Sequence, residues 1–173
     1  ATELIFDGCH VPLPNRIGEE GQGLRIALEA LDESRTTVGA EAIGISQAAF
    51  DASLSYAKER QQYGQPISNF QAIQWMLADM ATNLQAAKFL TYHAAYLEDQ
   101  GLPFVKESAM AKLFASEVSS MVTNNAIQIH GGYGYTKDYP IERYLRDAKL
   151  TQIYEGTSEM MRMTIARSLI REG

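Results

Sequence analysis

Between Ser68 and Gln100, apolar residues recur at steps of three and four: Ile73, Leu77, Met80, Leu84, Ala87, Leu90, Ala94 and Leu97. That spacing draws one apolar stripe along a helix about 50 Å long, at about 1.5 Å per residue. Gly101 and Pro103 in "DQGLP" stand where a helix stops. At the other end, Ser68 followed by Gln71 predicts a capping box.

Two further segments have comparable length. Residues 23–62 carry Leu24, Ala27, Leu28 and Leu31, then an Ala/Ile-rich run to Tyr56, and "YGQP" at 63–66 ends them. Gly39 and Gly44 inside this helix cost about 1 kcal/mol each against alanine, and are expected to mark close packing. A third helix runs from Pro103 to Ile129, with Ala111, Phe114, Val118 and Met121 on one face, and stops at "HGGYGY". A short helix opens at Pro140, where the missing amide costs nothing, and ends near Lys149. The last begins at or just after Thr157 and carries Met160, Met161, Ile165 and Leu169. Short connections between long helices predict an all-α fold, an antiparallel up-and-down four-helix bundle whose Met and aromatic stripes form the core.

The first twenty residues are different. Leu4-Ile5-Phe6 is a short β-like run, followed by Asp7-Gly8 and two prolines. A strand with no partner in the rest of the chain predicts a β-like tail. Residues 1–20 are therefore expected to be the end of a β-domain and its linker, and 21–173 the helical domain.

Composition narrows the function. A chain of 173 residues with 46% hydrophobic and 21% charged residues is an ordinary globular domain, long enough to bury a core. Its net charge of −6 argues against nucleic acid or an anionic membrane as partner. No apolar run approaches the roughly 20 residues that span a bilayer. Cys9 is alone, which fits a reducing compartment and is expected to be a small filler. His10, His93 and His130 lie too far apart for a zinc ligand pattern, so no metal is expected.

Singly, the chemistry-bearing pieces admit plain readings. "GGYGY" at 131–135 follows a helix, so it is neither a Rossmann fingerprint nor a P-loop; it is an interhelical turn or a place where amides approach phosphate. Arg60 near a helix C-terminus favours the dipole or forks a phosphate. Arg143, Arg146 and Asp147 read as salt-bridged scaffolding. Glu155, in "IYEGTSEM", reads as an acid placed just before a helix.

Their order changes the weighting. "YAKERQQYGQPISNFQAIQWMLADM", "AMAKLFASE", "AIQIHGGYGYTKDYPIERYLRDAK" and "IYEGTSEMMRM", at these separations, closely resemble the C-terminal helical domain of the acyl-CoA dehydrogenases, nearest the short-chain and branched-chain members. "LIFDGCHVPLPNRIGEEGQGL" resembles the exit from that family's middle β-domain.

The resemblance implies an FAD-dependent enzyme of fatty-acid or branched-chain amino-acid catabolism. Such enzymes desaturate an acyl-CoA thioester between its α and β carbons and pass electrons to an electron-transfer flavoprotein. It implies Glu155 as the base. A smaller branch places the base just before the arginine of an L-x-x-x-R segment; here that segment is "LDESR" and the position is Ser34, with Glu33 one residue off and turned by about 100°. Exclusion of water beside substrate strengthens a carboxylate as a base, the adjacent helix N-terminus opposes this, and Ile153 and Tyr154 are expected to supply an apolar wall. The Glu155 amide is implied as an oxyanion donor, a contribution of about 3–4 kcal/mol per donor in such sites.

By the same resemblance, Asp32, Arg35 and Gly156 bind substrate. Arg60, Gln61, Gln62, Phe70, Gln71, Gln128, Ile129, His130, Gly131, Gly132, Thr157, Ser158 and Glu159 bind FAD, the 128–132 stretch commonly from a neighbouring subunit. A homo-oligomer, tetramer or dimer, is implied, in a bacterial cytoplasm or a mitochondrial matrix, with the isolated domain inactive. Two other readings are an acyl-CoA oxidase, which gives the electrons to oxygen, and a non-catalytic helical oligomerisation module.

Overall fold

The computed structural model describes residues 2–172, with side chains to Arg171 in the final helix; Ala1 and Gly173, the outer ends of the two expected segments, lie outside that range. Three long helices dominate it: α1 (Gly23–Glu59), α2 (Gln71–Asp99) and α3 (Val105–His130). A four-residue turn, α4 (Gly132–Tyr135), then α5 (Ile141–Thr151) and α6 (Ser158–Glu172), complete the chain. The long helices pack on one another, α5 crosses α3 and α1, and α6 lies along α3. The all-α bundle is as expected, with α3 at its centre.

Small residues let these helices approach closely. Ala42, Ala49, Ala57, Ala87, Ala115 and Ala126 are buried with Met80, Val122 and Ile141. Ser46 and Ser53 are also buried, and each hydroxyl donates to its own helix, to Ala42 O and Ala49 O at 2.7 Å. Gly39 is buried at this seam, where a Cβ would stand 3.1 Å from Thr91 Oγ1. Gly44 is not: it is exposed, with open space around it.

The end of α1 is sharper than a simple stop. Gln61–Gln62 (β1) and Gln65–Pro66 (β2) pair antiparallel around Tyr63-Gly64. Both turn residues have positive φ, 50° and 77°, the two-residue hairpin turn whose twist suits flanking strands. The predicted capping box does not form. Ser68 falls in a tight turn at Ile67–Asn69, Phe70 becomes the residue before α2, and no side chain caps that helix. Instead the Gln74 amide donates to Ser68 O at 3.0 Å.

The core expectation also needs correction. Met80, Leu84, Ala87 and Ala94 are buried, as their stripe requires. Trp75, Phe89, Tyr92 and Tyr96, on the opposite face of α2, are 58–67% exposed, because the bundle covers only one side of that helix. Met161 is buried but Met160 and Leu169 are half-exposed, since α6 has α3 as its main neighbour. Residues 2–20 form no strand: Leu4, Ile5 and Phe6 lie exposed outside any element. Cys9 is exposed there too, and so fills no core.

Candidate active site

Glu155 stands in the connection between α5 and α6. The chain leaves α5 with Ile153 and Tyr154 N–H groups donating to Leu150 O, and is closed by Ser158 N–H donating to Gln152 O at 3.1 Å. Between these bonds Glu155 and Gly156 both adopt left-handed backbone, with φ of 54° and 95°. For a glutamate that conformation costs about 1–2 kcal/mol, so neighbours must hold it. Gly156 is favoured by its φ, and a Cβ there would also displace the terminal methyl of Met161, 2.7 Å away.

Two helices converge on this turn. From α1, the Ser34 hydroxyl donates to Glu155 Oε2, and Leu31 O is also within its reach. Arg35 pairs with Asp32 on the same helix, and its Nε is buried without a partner. Tyr154 OH donates to Glu41, also on α1; burial first, then that hydrogen bond, pushes the phenol pKa well up. From α3, the Lys112 ammonium donates to Gly156 O while wholly enclosed. Burial and then the Arg35 guanidinium press its pKa below the usual lysine value, with Glu155 and Glu159 opposing. The Glu155 side chain is half-buried, and its own N–H donates to no protein acceptor among the described residues, leaving it available to a ligand oxygen.

Glu33 is exposed and lines a cleft with Ala95, Glu98 and Asp99 of α2. Ile153 is half-exposed beside a smaller cleft of about 230 Å³, which it shares with Thr157, Ser158 and Glu159, so Tyr154 alone is packed inward. Thr157 caps α6, its hydroxyl accepting from Met160 N–H at 3.4 Å. Ser158 Oγ is buried without a partner. The Glu159 carboxyl is held below the usual range by its own backbone N–H, then by the Thr157 hydroxyl.

The other residues assemble elsewhere. Arg60, Gln62, Ile129, His130, Gly131 and Gly132 line a cleft of about 560 Å³ with Tyr56 and Tyr133, where α1 and α3 both end. His130 stacks on Tyr56 at 4.3 Å, and burial lowers its pKa. The ring is therefore neutral, with Nδ1–H donating to Ala126 O at 2.8 Å and Nε2 left as a buried acceptor without a partner. Arg60 lies over the Tyr133 ring, 5.7 Å from its centroid. Gly131 turns the chain at φ 61°, and neither it nor Gly132 has a neighbour where a Cβ would be, so a ligand can approach their backbone. The "GGYGY" segment is no loose turn. It forms α4, held to α3 at Gly134, where a Cβ would meet Ile127 O at 2.9 Å.

Gln61, Phe70, Gln71 and Gln128 border that cleft in sequence without lining it. Gln61 pairs with Pro66, Phe70 packs on the core and edge-on to Tyr63, and Gln71 and Gln128 are exposed. Arg146 pairs with Glu142 at 2.9 Å, the scaffolding expected of α5.

Arg35 and Arg60 are 25 residues apart along α1, about 38 Å on its axis. Within one chain the turn at Glu155 and the cleft at Arg60 are therefore separate sites. Among the described residues no cluster of His, Cys, Asp and Glu could hold a metal, and no helix is long and apolar enough to cross a membrane.

Residues 21–170 match the family model for the acyl-CoA dehydrogenase C-terminal domain. The chain belongs to the acyl-CoA dehydrogenases. It is 60% identical to an acryloyl-CoA reductase (NADH) of Anaerotignum propionicum, over 98% of this chain and 43% of that protein. It superposes with a TM-score of 0.93 and 54% identity on a chain from a structure of the electron transferring flavoprotein of Acidaminococcus fermentans, covering 96% of this chain and 44% of the other. Butyryl-CoA dehydrogenase from Megasphaera elsdenii aligns with a TM-score of 0.90 and 47% identity, over 93% and 42% of the two chains. This acyl-CoA dehydrogenase domain spans less than half the length of the relatives it matches.

Sequence reasoning passed over Ser34, Glu41 and Lys112. In sequence Ser34 reads only as the position where a smaller branch carries its base, and Lys112 only as part of "AMAKLFASE". The one signal in the latter is a lysine on a face otherwise of small residues, Ser108, Ala109, Ala115 and Ser116.

Proposed function

We propose that this chain is the catalytic helical domain of a flavoenzyme acting between the α and β carbons of a short acyl-CoA thioester. The observation that carries the reading is the placement of Glu155. Its carboxylate sits half-buried at a strained turn, held by Ser34, beside a free amide donor. In the oxidative direction Glu155 takes the α-proton while its own N–H stabilises the developing negative charge on the thioester oxygen. When bound, FAD supplies the acceptor for the β-hydrogen, which leaves as hydride as the carbon–carbon double bond forms. Asp32 and Arg35 fix the CoA portion, and Gly156 leaves space beside the acyl group.

The residues of the second cleft fit the adenosine side of that cofactor. An arginine, two open glycines and a bare imidazole nitrogen suit phosphates and a hydrogen-bond donor. Because this cleft lies about 38 Å from Arg35, it would serve the base of a second copy. The uncovered Trp75, Phe89, Tyr92 and Tyr96 supply an apolar face for such an assembly. We place the protein in a bacterial cytoplasm, with an electron-transfer flavoprotein as electron partner, on the sources and descriptions of its relatives. Those relatives lend nothing to a mitochondrial matrix.

The similarity to an acryloyl-CoA reductase favours a second direction of flow, in which Glu155 returns a proton to the α carbon. The test uses the flavin-loaded full-length protein. Short acyl-CoA thioesters are expected to bleach the flavin, and the corresponding enoyl-CoAs to reoxidise the reduced form. Glu155→Gln is expected to abolish both. Undiminished bleaching in Glu155→Gln removes the base assignment, and no bleaching by any thioester leaves a helical oligomerisation module.

A further inference from the structure

We propose that Lys112 is a positioning residue for the base: its enclosed ammonium grips the Gly156 carbonyl and so fixes the left-handed turn on which Glu155 stands. Lysines ordinarily carry their charge to water, and are almost never fully buried unless paired. Lys112 has no exposed surface, yet among the described residues it forms no salt bridge, and its one acceptor is the Gly156 carbonyl. Replacing a buried charge by an apolar side chain of similar shape is often neutral or stabilising, so stability alone does not account for an ammonium here.

The turn itself supplies the account. Glu155 and Gly156 are consecutive left-handed residues, and the first is not a glycine. Ser34 holds the Glu155 side chain, and Ser158 N–H ties the turn to Gln152 O. Of the hydrogen bonds around the turn, only the one from Lys112 grips the peptide between the base and α6. Without it the Gly156 peptide is free to rotate, which moves both the Glu155 carboxylate and its amide. The kinetic consequence rests on Glu155 being the base; the grip on the turn does not.

The test is Lys112→Met, with Lys112→Leu as a second apolar replacement. In the 173-residue chain, hydrogen exchange at the Ser158 amide, which closes the turn, and at the Met161 amide, which opens α6, is expected to quicken about tenfold, with α3 amides and the urea midpoint unchanged or improved. In the flavin-loaded full-length enzyme, exchange of the substrate α-proton with D2O is expected to fall on the order of 100-fold, with KM nearly constant. Unaltered amide exchange in the turn overturns the proposal. So does general unfolding of both variants, which makes Lys112 a residue of the fold. Absence of α-proton exchange in the wild type counts against the base, and leaves the amide readout to judge the grip.

Discussion

Gly39 and Gly44 look alike in sequence and are placed oppositely in α1, which makes alanine at each a sharp test of the packing. At Gly44 a Cβ meets nothing within 4 Å, so Gly44→Ala is expected to gain the full helix-propensity difference, about 1 kcal/mol. For a chain of this size that raises Tm by about 2–4 °C. At Gly39 the same gain of about 1 kcal/mol is set against a Cβ 3.1 Å from Thr91 Oγ1 and 3.4 Å from Thr91 Cγ2. Overpacking of this kind costs about 1–3 kcal/mol, so the net change runs from about zero to a loss of about 2. Thr91 Oγ1 is buried without a partner, so Thr91→Ala breaks no hydrogen bond and opens the space. Gly39→Ala in a Thr91→Ala background is then expected to be stabilising by about 1 kcal/mol, as at Gly44. Urea unfolding with linear extrapolation measures all four variants. Equal stabilisation at both glycines in the wild-type background would refute the close approach of α1 to α2.

Two further outcomes are expected. Ser34→Ala removes the side chain that holds Glu155, and should cost about 0.5–1.5 kcal/mol, seen as a lower urea midpoint; Ser34→Thr should lose less. His130 is held neutral by burial below its ordinary value of 6.5, so the unfolded chain takes up the proton first as pH falls. Stability is therefore full above about pH 6.5 and declines below it, and His130→Phe, which keeps a ring against Tyr56, should flatten that decline in a thermal-melt pH series.

The oppositely placed glycines show the limit of a one-dimensional reading. Periodicity reports which face of a helix is apolar, and that sufficed for α2, whose stripe from Ile73 to Leu97 is the face turned to the bundle. It does not report how many faces find a neighbour. Hence the aromatic residues on the far side of α2, and Met160 and Leu169 on α6, were expected in the core and are uncovered. The capping box failed for a local reason: "YGQP" builds a hairpin, and the tight turn after it puts Ser68 too early to cap α2.

What the amino-acid order determined by itself is the helical bundle, the approximate extent of its long helices and, through several motifs in register, the family; it also singled out Glu155 as the residue to propose as base. Those are properties of spacing along the chain. Tertiary structure alone decided which side chains hold that glutamate and which residues share a cleft. Ser34 is 121 positions from Glu155, and Lys112 is 44 from Gly156. Hydrogen bonds of that kind are set by how α1, α3 and the α5–α6 turn pack together. The length of α1 decided the rest, holding Ser34 and Arg35 in its first half and Arg60 just past its C-terminal end.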